Sequence, residues 1–159
     1  FNRVKGIEKA ISGYMGGDTL SPNYEQVCSG STGHAEVVQL TFDTDEINFQ
    51  EILEIFFMLH DPTQLNRQGY DVGSEYRSAV FFHNIEQELL TKEFVGQAII
   101  DQTWPDPIVT EIVAAETFYV GENNHQEFFK KNPRSQYCQV IISPKLEKLR
   151  QMFAAKLKN

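Results

Sequence analysis

The 159-residue chain is long enough for one domain with a substantial core, since 41% of its residues are hydrophobic and 12% are aromatic. Its formal net charge of -8 argues against a nucleic-acid-binding surface, which requires a basic face. No apolar run in the sequence approaches the length needed to cross a bilayer, and we expect a cytoplasmic protein with neither nucleic acid nor membrane as a partner.

The first half of the chain predicts a strand and a helix. Residues 4–12 fit either a helix or a strand, and the glycine-rich segment 13–18 is predicted to end that element. Apolar and polar residues alternate over 38–42, which is typical of a half-buried strand. Asn48 is a predicted N-cap for a helix over 49–59, where the apolar residues form one stripe.

The second half continues the alternation of strands and helices. Such an order predicts an α+β or α/β domain of two layers, with parallel and antiparallel pairing left open. The predicted elements are a strand over 79–82, a helix capped by Asn84 and ending near Asp101, a strand over 108–114, a short helix over 122–131, and a final helix that begins at Pro144 and carries Leu146, Leu149, Phe153 and Leu157 on one face.

Two polar segments interrupt this pattern. Residues 61–77 hold many hydrogen-bonding side chains between glycines, and loops of this length without secondary structure are usually functional. Residues 24–38 run from a glycine-rich loop into the strand, with Glu36 near its start. Glu36 faces either water or a cleft. In a cleft, desolvation would raise its pKa and make it a proton donor near neutral pH.

Five pieces of sequence, in order along the chain, resemble the A class of peptide methionine sulfoxide reductases. The pieces are Ile11 to Gly17, Tyr24 to Val38, Asp61-Pro62-Thr63 with Asn66 to Gly69, Asp71-Val72-Gly73 with Tyr76-Arg77-Ser78, and Phe118-Tyr119 with Glu122 and His125-Gln126. The resemblance implies one domain over residues 1–159. It also implies an α+β fold, a two-layer α/β sandwich with helices packed on a mixed sheet and a ferredoxin-like core.

The resemblance implies thiol-dependent reduction of methionine-S-sulfoxide, free or in proteins, without a cofactor. A cysteine thiolate attacks the sulfoxide sulfur and becomes a sulfenic acid, which a second thiol converts to a disulfide. Departure of the oxygen requires a proton, and Glu36 matches the family's acid. Tyr24 and Tyr76 match the tyrosines that hold the oxygen, because a phenol donates without carrying charge. Asp71 matches an aspartate that orients the cysteine, through backbone or water contacts.

The chain departs from the family at its start. The family's nucleophile lies in a Gly-Cys-Phe-Trp motif just before the position that matches Phe1, and this motif is absent from the 159 residues. We therefore expect the sequence to begin part-way into the protein, and the 159-residue chain alone to be inactive. The alternative is a domain that binds methionine or its sulfoxide without turnover. The expected reductant is a thioredoxin-like protein.

Each site residue also has a structural interpretation. Tyr24 or Tyr76 could be a core tyrosine, and Asp71 could serve the turn before Gly73. Cys28 is expected to be a small buried thiol. Cys138 is either a resolving cysteine or a structural thiol, and its sequence context differs from the glycine-rich tail of many family members. The histidines and cysteines lack the spacing of metal ligands, so no metal site is expected.

Overall fold

The computed structural model describes residues 1–158, which form an α+β domain. The expected class is confirmed, although the strands lie in three separate sheets. The elements are β1 Ile7–Met15, α1 Tyr24–Cys28, β2 Ala35–Phe42, α2 Phe49–Leu59, β3 Arg67–Gln68, β4 Asp71–Val72, a 3₁₀ turn Ser74–Tyr76, β5 Ala79–Phe82, α3 Ile85–Ile100, β6 Glu111–Ala114, β7 Tyr119–Val120, α4 Phe128–Lys131, a π-helical turn Cys138–Ile142, α5 Ser143–Phe153 and a 3₁₀ turn Ala154–Lys156.

The central sheet has the order β2-β1-β7, and both pairings are antiparallel. Strand β1 continues to Met15, so the predicted break at 13–18 comes too early. Gly13 permits this because a Cβ there would collide with the Phe118 ring and the backbone of Tyr119. Strands β5 and β6 form a separate parallel pair joined through α3, and β3 and β4 form a short hairpin.

The main core lies between the central sheet and helices α2 and α5. Buried Ile7 of β1 packs with Ile52 and Ile55 of α2 and with Leu149 of α5. Leu146, Phe153 and Leu157 pack against the same cluster, although Leu157 lies beyond the end of α5 and pairs with Val4 in an isolated bridge. The first and last described segments therefore close the core together.

Local capping explains the two longest central helices. The Asn48 side chain accepts the Glu51 amide at 2.8 Å, and the Asn84 side chain accepts the Gln87 amide at 2.9 Å, so both predicted N-caps are confirmed. Two other predictions were too long: the strand expected over 108–114 begins at Glu111, and the helix expected over 122–131 begins at Phe128. No helix within residues 1–158 combines the length and apolarity needed to cross a membrane.

A buried hydrogen-bonded chain joins α2 to the segment that follows the 61–77 loop. His60 Nδ1 donates to the Phe56 carbonyl at 2.6 Å, which leaves Nε2 as the acceptor for the Ser78 hydroxyl at 2.8 Å. Ser78 Oγ also lies 2.8 Å from Thr110 Oγ1. Burial lowers the pKa of His60, which favours the neutral ring that this arrangement needs.

Replacing Ser78 with Ala is expected to lower the free energy of unfolding by about 1–3 kcal/mol, because His60 Nε2 loses its partner inside the protein. Urea denaturation of the variant and the wild type measures the difference. Thr44→Ala, at an exposed position, serves as the control and should change stability by less than about 0.5 kcal/mol. Equal stability of the Ser78 and Thr44 variants would contradict this interpretation of the chain.

Candidate active site

The site is built on one row of side chains across the central sheet. Glu36 of β2 lies directly opposite Tyr14 of β1, and Tyr119 of β7 lies opposite Tyr14 on its other side. Directly opposed residues in an antiparallel ladder project from the same face, so these three side chains are neighbours. Tyr14 is buried, whereas Glu36 is only partly exposed. The carboxyl group is thus placed against aromatic rings.

The segment that leads into β2 is fixed by His34. The ring is buried, its Nδ1 accepts the Gly17 amide at 2.9 Å, and its Nε2 donates to the Thr19 carbonyl at 2.7 Å. Gly17 permits this close approach because a Cβ there would collide with the backbone of 32–34. His34 therefore orients the start of the strand that carries Glu36. No group of three or more potential metal ligands is found within residues 1–158.

Tyr24 lies on helix α1, where the sequence predicted a glycine-rich loop. The local signal for this helix is a capping box in which Asn23 and Gln26 each bond the other's backbone amide at 2.9 Å. The helix presents Tyr24 at the surface, within hydrogen-bonding reach of Cys28 and Tyr76. The two predicted oxygen-binding tyrosines are therefore brought together from segments far apart in the sequence.

Tyr76 is held at the end of the 61–77 loop, which side-chain bonds to the backbone make rigid. Gln68 bonds both the amide and the carbonyl of Asp61, at 3.0 and 3.1 Å. Gly73 has a φ of 145°, a conformation that residues other than glycine rarely adopt, and the 3₁₀ turn of Tyr76 follows directly. This predicted functional loop thus has a defined conformation.

Arg77 joins this loop to the start of β2. Its guanidinium donates to the Ser74 carbonyl at 2.8 Å and to the Gly33 carbonyl at 3.0 Å, and it pairs with Glu111 at 3.2 Å. Ser74 begins the turn that contains Tyr76, and Gly33 precedes the strand that carries Glu36. One planar side chain therefore sets the position of the loop relative to the strand.

Asp71 also lies at the site. Its Oδ2 accepts the Tyr137 hydroxyl at 3.2 Å, and its predicted role in orienting the cysteine stays a prediction. The charge of Asp71 acts on both Glu36 and Tyr76. The C-terminal part of the chain thereby reaches the site through Tyr137, which had no predicted role.

The electrostatics favour a protonated carboxyl group at Glu36. Burial, followed by repulsion from Asp71, Glu75 and Glu122, raises the pKa of Glu36 to about 7. We call these four carboxylates the acid cluster. A hydrogen bond to Cys28, and then burial, raises the pKa of Tyr24 to about 12, while burial raises the pKa of Tyr76. Both phenols therefore remain donors at neutral pH.

Four residues of the site had no predicted role, namely Tyr14, Glu75, Glu122 and Tyr137. Tyr14 and Glu122 lie within the sequence pieces that carry the family resemblance, so those pieces could have identified both as site residues. Glu75 is 4% exposed, and no partner for its Oε2 occurs in the described part of the chain. Its carboxylate packs beneath Gly73, which has no Cβ to obstruct it. Nothing in the sequence pattern marked Glu75 or Tyr137.

The two cysteines differ in exposure, since one lies at the surface and the other is buried. Cys28 is exposed, so the prediction of a buried thiol is wrong: the capped helix α1 turns its last residue outward beside Tyr24. Cys138 is buried in the π-helical turn, and its amide donates to Ser135 Oγ at 3.1 Å. Both are free thiols, and the resolving role of Cys138 stays a prediction.

Comparisons with known proteins agree on one family. The model of the family described as peptide methionine sulfoxide reductase matches residues 1–157. The peptide methionine sulfoxide reductase of Natronomonas pharaonis is 49% identical over 157 residues, which cover 99% of this chain and 88% of the relative. The Deinococcus radiodurans relative is 48% identical over 155 residues, covering 98% of this chain and 75% of its own. Reduced Mxr1 from Saccharomyces cerevisiae superposes with a TM-score of 0.77 at 33% identity, covering 84% of this chain and 76% of its own.

Replacing Glu36 with Gln is expected to make stability less sensitive to pH. The wild-type carboxyl titrates near pH 4.5 when unfolded and near pH 7 when folded, so the folded state loses stability as pH rises between these values. The variant lacks this loss. Its unfolding free energy relative to wild type should therefore rise by roughly 1–3 kcal/mol from pH 4.5 to pH 8, allowing for partial solvent screening.

Urea titrations of both proteins across this pH range measure the effect. Glu25→Gln, at an exposed position of α1, is the matched control and should give a nearly constant difference. A constant difference for Glu36→Gln as well would show that Glu36 titrates as an ordinary carboxyl group.

Proposed function

The chain belongs to the peptide methionine sulfoxide reductase family, and we propose that Glu36, Tyr24, Tyr76 and Asp71 form its sulfoxide-reducing site. Reduction of methionine sulfoxide is the activity of this family. The observation that carries the assignment is a carboxyl group beside two phenols, with a pKa of about 7 that keeps a substantial fraction of it protonated near neutral pH. Such an arrangement can bind a sulfoxide oxygen and deliver a proton to it.

The proposed first step transfers the sulfoxide oxygen to a cysteine sulfur. A thiolate sulfur attacks the sulfur of methionine-S-sulfoxide while Tyr24 and Tyr76 hold the oxygen. The attack forms a bond between the two sulfurs, Glu36 gives a proton to the substrate oxygen, and the S–O bond breaks as hydroxide leaves. Hydroxide then attacks the cysteine sulfur and the S–S bond breaks, so that the products are a thioether and a cysteine sulfenic acid. A Glu with an ordinary pKa would be ionised at neutral pH and would repel the developing negative charge instead.

The proposed recycling uses two more thiol reactions. A resolving thiol attacks the sulfenic acid sulfur, which gives a disulfide and releases the oxygen as water. A thioredoxin-like dithiol then reduces this disulfide and becomes oxidised itself. Cys138 is the candidate resolving thiol, and its burial requires the turn at 138–142 to open before it can react.

The proposal assigns the attack to the cysteine of the family's Gly-Cys-Phe-Trp motif. Neither Cys28 nor Cys138 matches that motif, and Cys138 is buried. The 159-residue chain by itself is then expected to bind methionine sulfoxide without reducing it. A different result would be that this chain reduces one equivalent of sulfoxide and that Cys28→Ser abolishes this reduction. Cys28, the exposed thiol beside Tyr24, would then be the nucleophile.

In a form of the protein that carries the family's Gly-Cys-Phe-Trp motif before Phe1, Glu36→Gln is expected to slow reduction of a methionine-S-sulfoxide peptide. The single-turnover rate should fall by about 10²–10⁴-fold, because Gln cannot deliver the proton. Rapid quenching, followed by chromatography of the reduced peptide, measures the rate. The control is Glu25→Gln, which removes an exposed carboxylate from the helix that carries Tyr24 and should keep the wild-type rate. A wild-type rate in Glu36→Gln would show that Glu36 is not the proton donor.

Cys138→Ser is expected to separate reduction from recycling. One equivalent of sulfoxide per enzyme should still be reduced at the wild-type rate, while turnover with thioredoxin should fall at least about tenfold. Single-turnover assays and thioredoxin-coupled steady-state assays give the two rates. Glu25→Gln, at an exposed position of α1, is the control and should retain both rates. Normal thioredoxin-driven turnover in Cys138→Ser would show that another thiol resolves the sulfenic acid.

A further inference from the structure

Glu122 contacts three aromatic residues around the site. Its Oε1 accepts the backbone amide of Tyr24 at 3.0 Å, and its Oε2 accepts the Tyr14 hydroxyl at 3.3 Å. The Nε2 atom of His125 lies 3.7 Å from Oε2. We propose that Glu122 is a positioning residue, which fixes Tyr24 and, through its bond to Tyr14, is held beside the strand position of Glu36. This inference rests on the proposed function of Tyr24 and Glu36.

Helix α1 depends on the bond from Glu122. The helix has only five residues, which is too short to be stable without contacts to the rest of the domain. Its capping box satisfies the amides of Asn23 and Gln26, whereas the Tyr24 amide lies in the first turn and has no partner within the helix. Glu122, 98 positions along the chain, supplies that partner.

The ring of Tyr24 is held from the same segment. The His125 imidazole lies against it, with ring centroids 4.4 Å apart and planes inclined by 44°. His125 itself lies beside the Glu122 carboxylate, and its amide donates to the Glu122 carbonyl at 3.0 Å. Glu122 thus controls Tyr24 both at the backbone and through the neighbouring ring, while Tyr14 ties the carboxylate to the sheet.

The charge of Glu122 has a separate effect. Among the carboxylates that act on Glu36, Asp71 comes from β4, Glu75 from the 3₁₀ turn and Glu122 from the segment after β7. The other titratable groups around the same site are Tyr14, Tyr24, Cys28, Tyr76, His125, Tyr137 and Lys145. Removing one of the three charges should make Glu36 easier to ionise, whereas removing the Glu122 side chain should also release Tyr24.

Two variants, made in a form of the protein that carries the family's Gly-Cys-Phe-Trp motif before Phe1, separate these effects. Glu122→Gln keeps an oxygen for the Tyr24 amide and removes the charge, while its NH2 group replaces the oxygen that accepts the Tyr14 hydroxyl. The alkaline limb of kcat/KM against pH should therefore move to lower pH by roughly 0.3–1 pH unit, with KM within about twofold of wild type. Glu122→Ala should also raise KM for a methionine-S-sulfoxide peptide about tenfold or more, because the oxygen-binding phenol is no longer fixed. Glu116→Gln, at an exposed position after β6, is the charge-matched control and should leave both quantities unchanged.

The ¹³C resonances of labelled tyrosine give a readout that does not need catalysis. Dimethyl sulfoxide should shift the Tyr24 ζ-carbon signal in wild type and in Glu122→Gln, and only weakly in Glu122→Ala. A pH profile for Glu122→Gln that coincides with that of Glu116→Gln, or an unchanged KM and Tyr24 response in Glu122→Ala, would overturn the inference.

The same assays distinguish a wrong role for Glu122 from a wrong proposed function. If Glu36→Gln loses activity while both Glu122 variants match Glu116→Gln, only the role of Glu122 is wrong. If Glu36→Gln retains the wild-type rate and alkaline limb, the proposed acid is wrong, and the part of the inference that concerns Glu36 falls with it.

Discussion

The site depends on burial of a carboxyl group on the face of the central sheet. Glu36 lies opposite Tyr14 in the β1–β2 ladder, and this register decides whether it faces the tyrosines or the other side of the sheet. A slip of one residue would turn Glu36 to the opposite face and place a neighbouring apolar side chain in the site. Burial is also the largest cause of the raised pKa of Glu36. The fold thereby determines the protonation state on which the proposed chemistry relies.

Long-range polar contacts, more than hydrophobic burial, assemble the groups around Glu36. Arg77 bonds to backbone carbonyls in the Tyr76 turn and in the approach to β2, and Glu122 bonds to the backbone of α1. Such bonds fix loops at the surface, where few apolar contacts are available. Tyr24 can consequently be exposed to a substrate and still have a defined position.

The sequence predicted most reliably the elements whose signals are local. Asn48 and Asn84 cap the helices that the apolar stripes indicated, because a cap needs only an amide three residues away. Helix α1 was missed because five residues carry too little periodicity, and its bond from Glu122 spans 98 positions. The extent of β1 was also missed. Its glycines suggested that the strand ends there, but the close approach of Phe118 requires glycine at position 13 within the strand.

The site residues show the same division. Glu36, Tyr24, Tyr76 and Asp71 were named from motifs, and the structure brings them into one electrostatic cluster. The exposure of Cys28 could not be predicted, since it depends on which way a short, unexpected helix faces. Glu75 was equally hidden, because only the backbone conformation at Gly73 reveals that its carboxylate lies beneath the loop.

The position of Cys138 links the proposed recycling step to the acid cluster. A buried thiol can attack a sulfenic acid only after the π-helical turn at 138–142 opens, and π-helical turns are uncommon and often occur at functional sites. Tyr137 immediately precedes this turn, and its hydroxyl bonds to Asp71. Opening the turn would therefore strain or break that bond and alter the charge that Glu36 experiences. The segment 137–142 would then have one arrangement during sulfoxide reduction and another during disulfide formation. The hydrogen bonding of Asp71 would differ between the two.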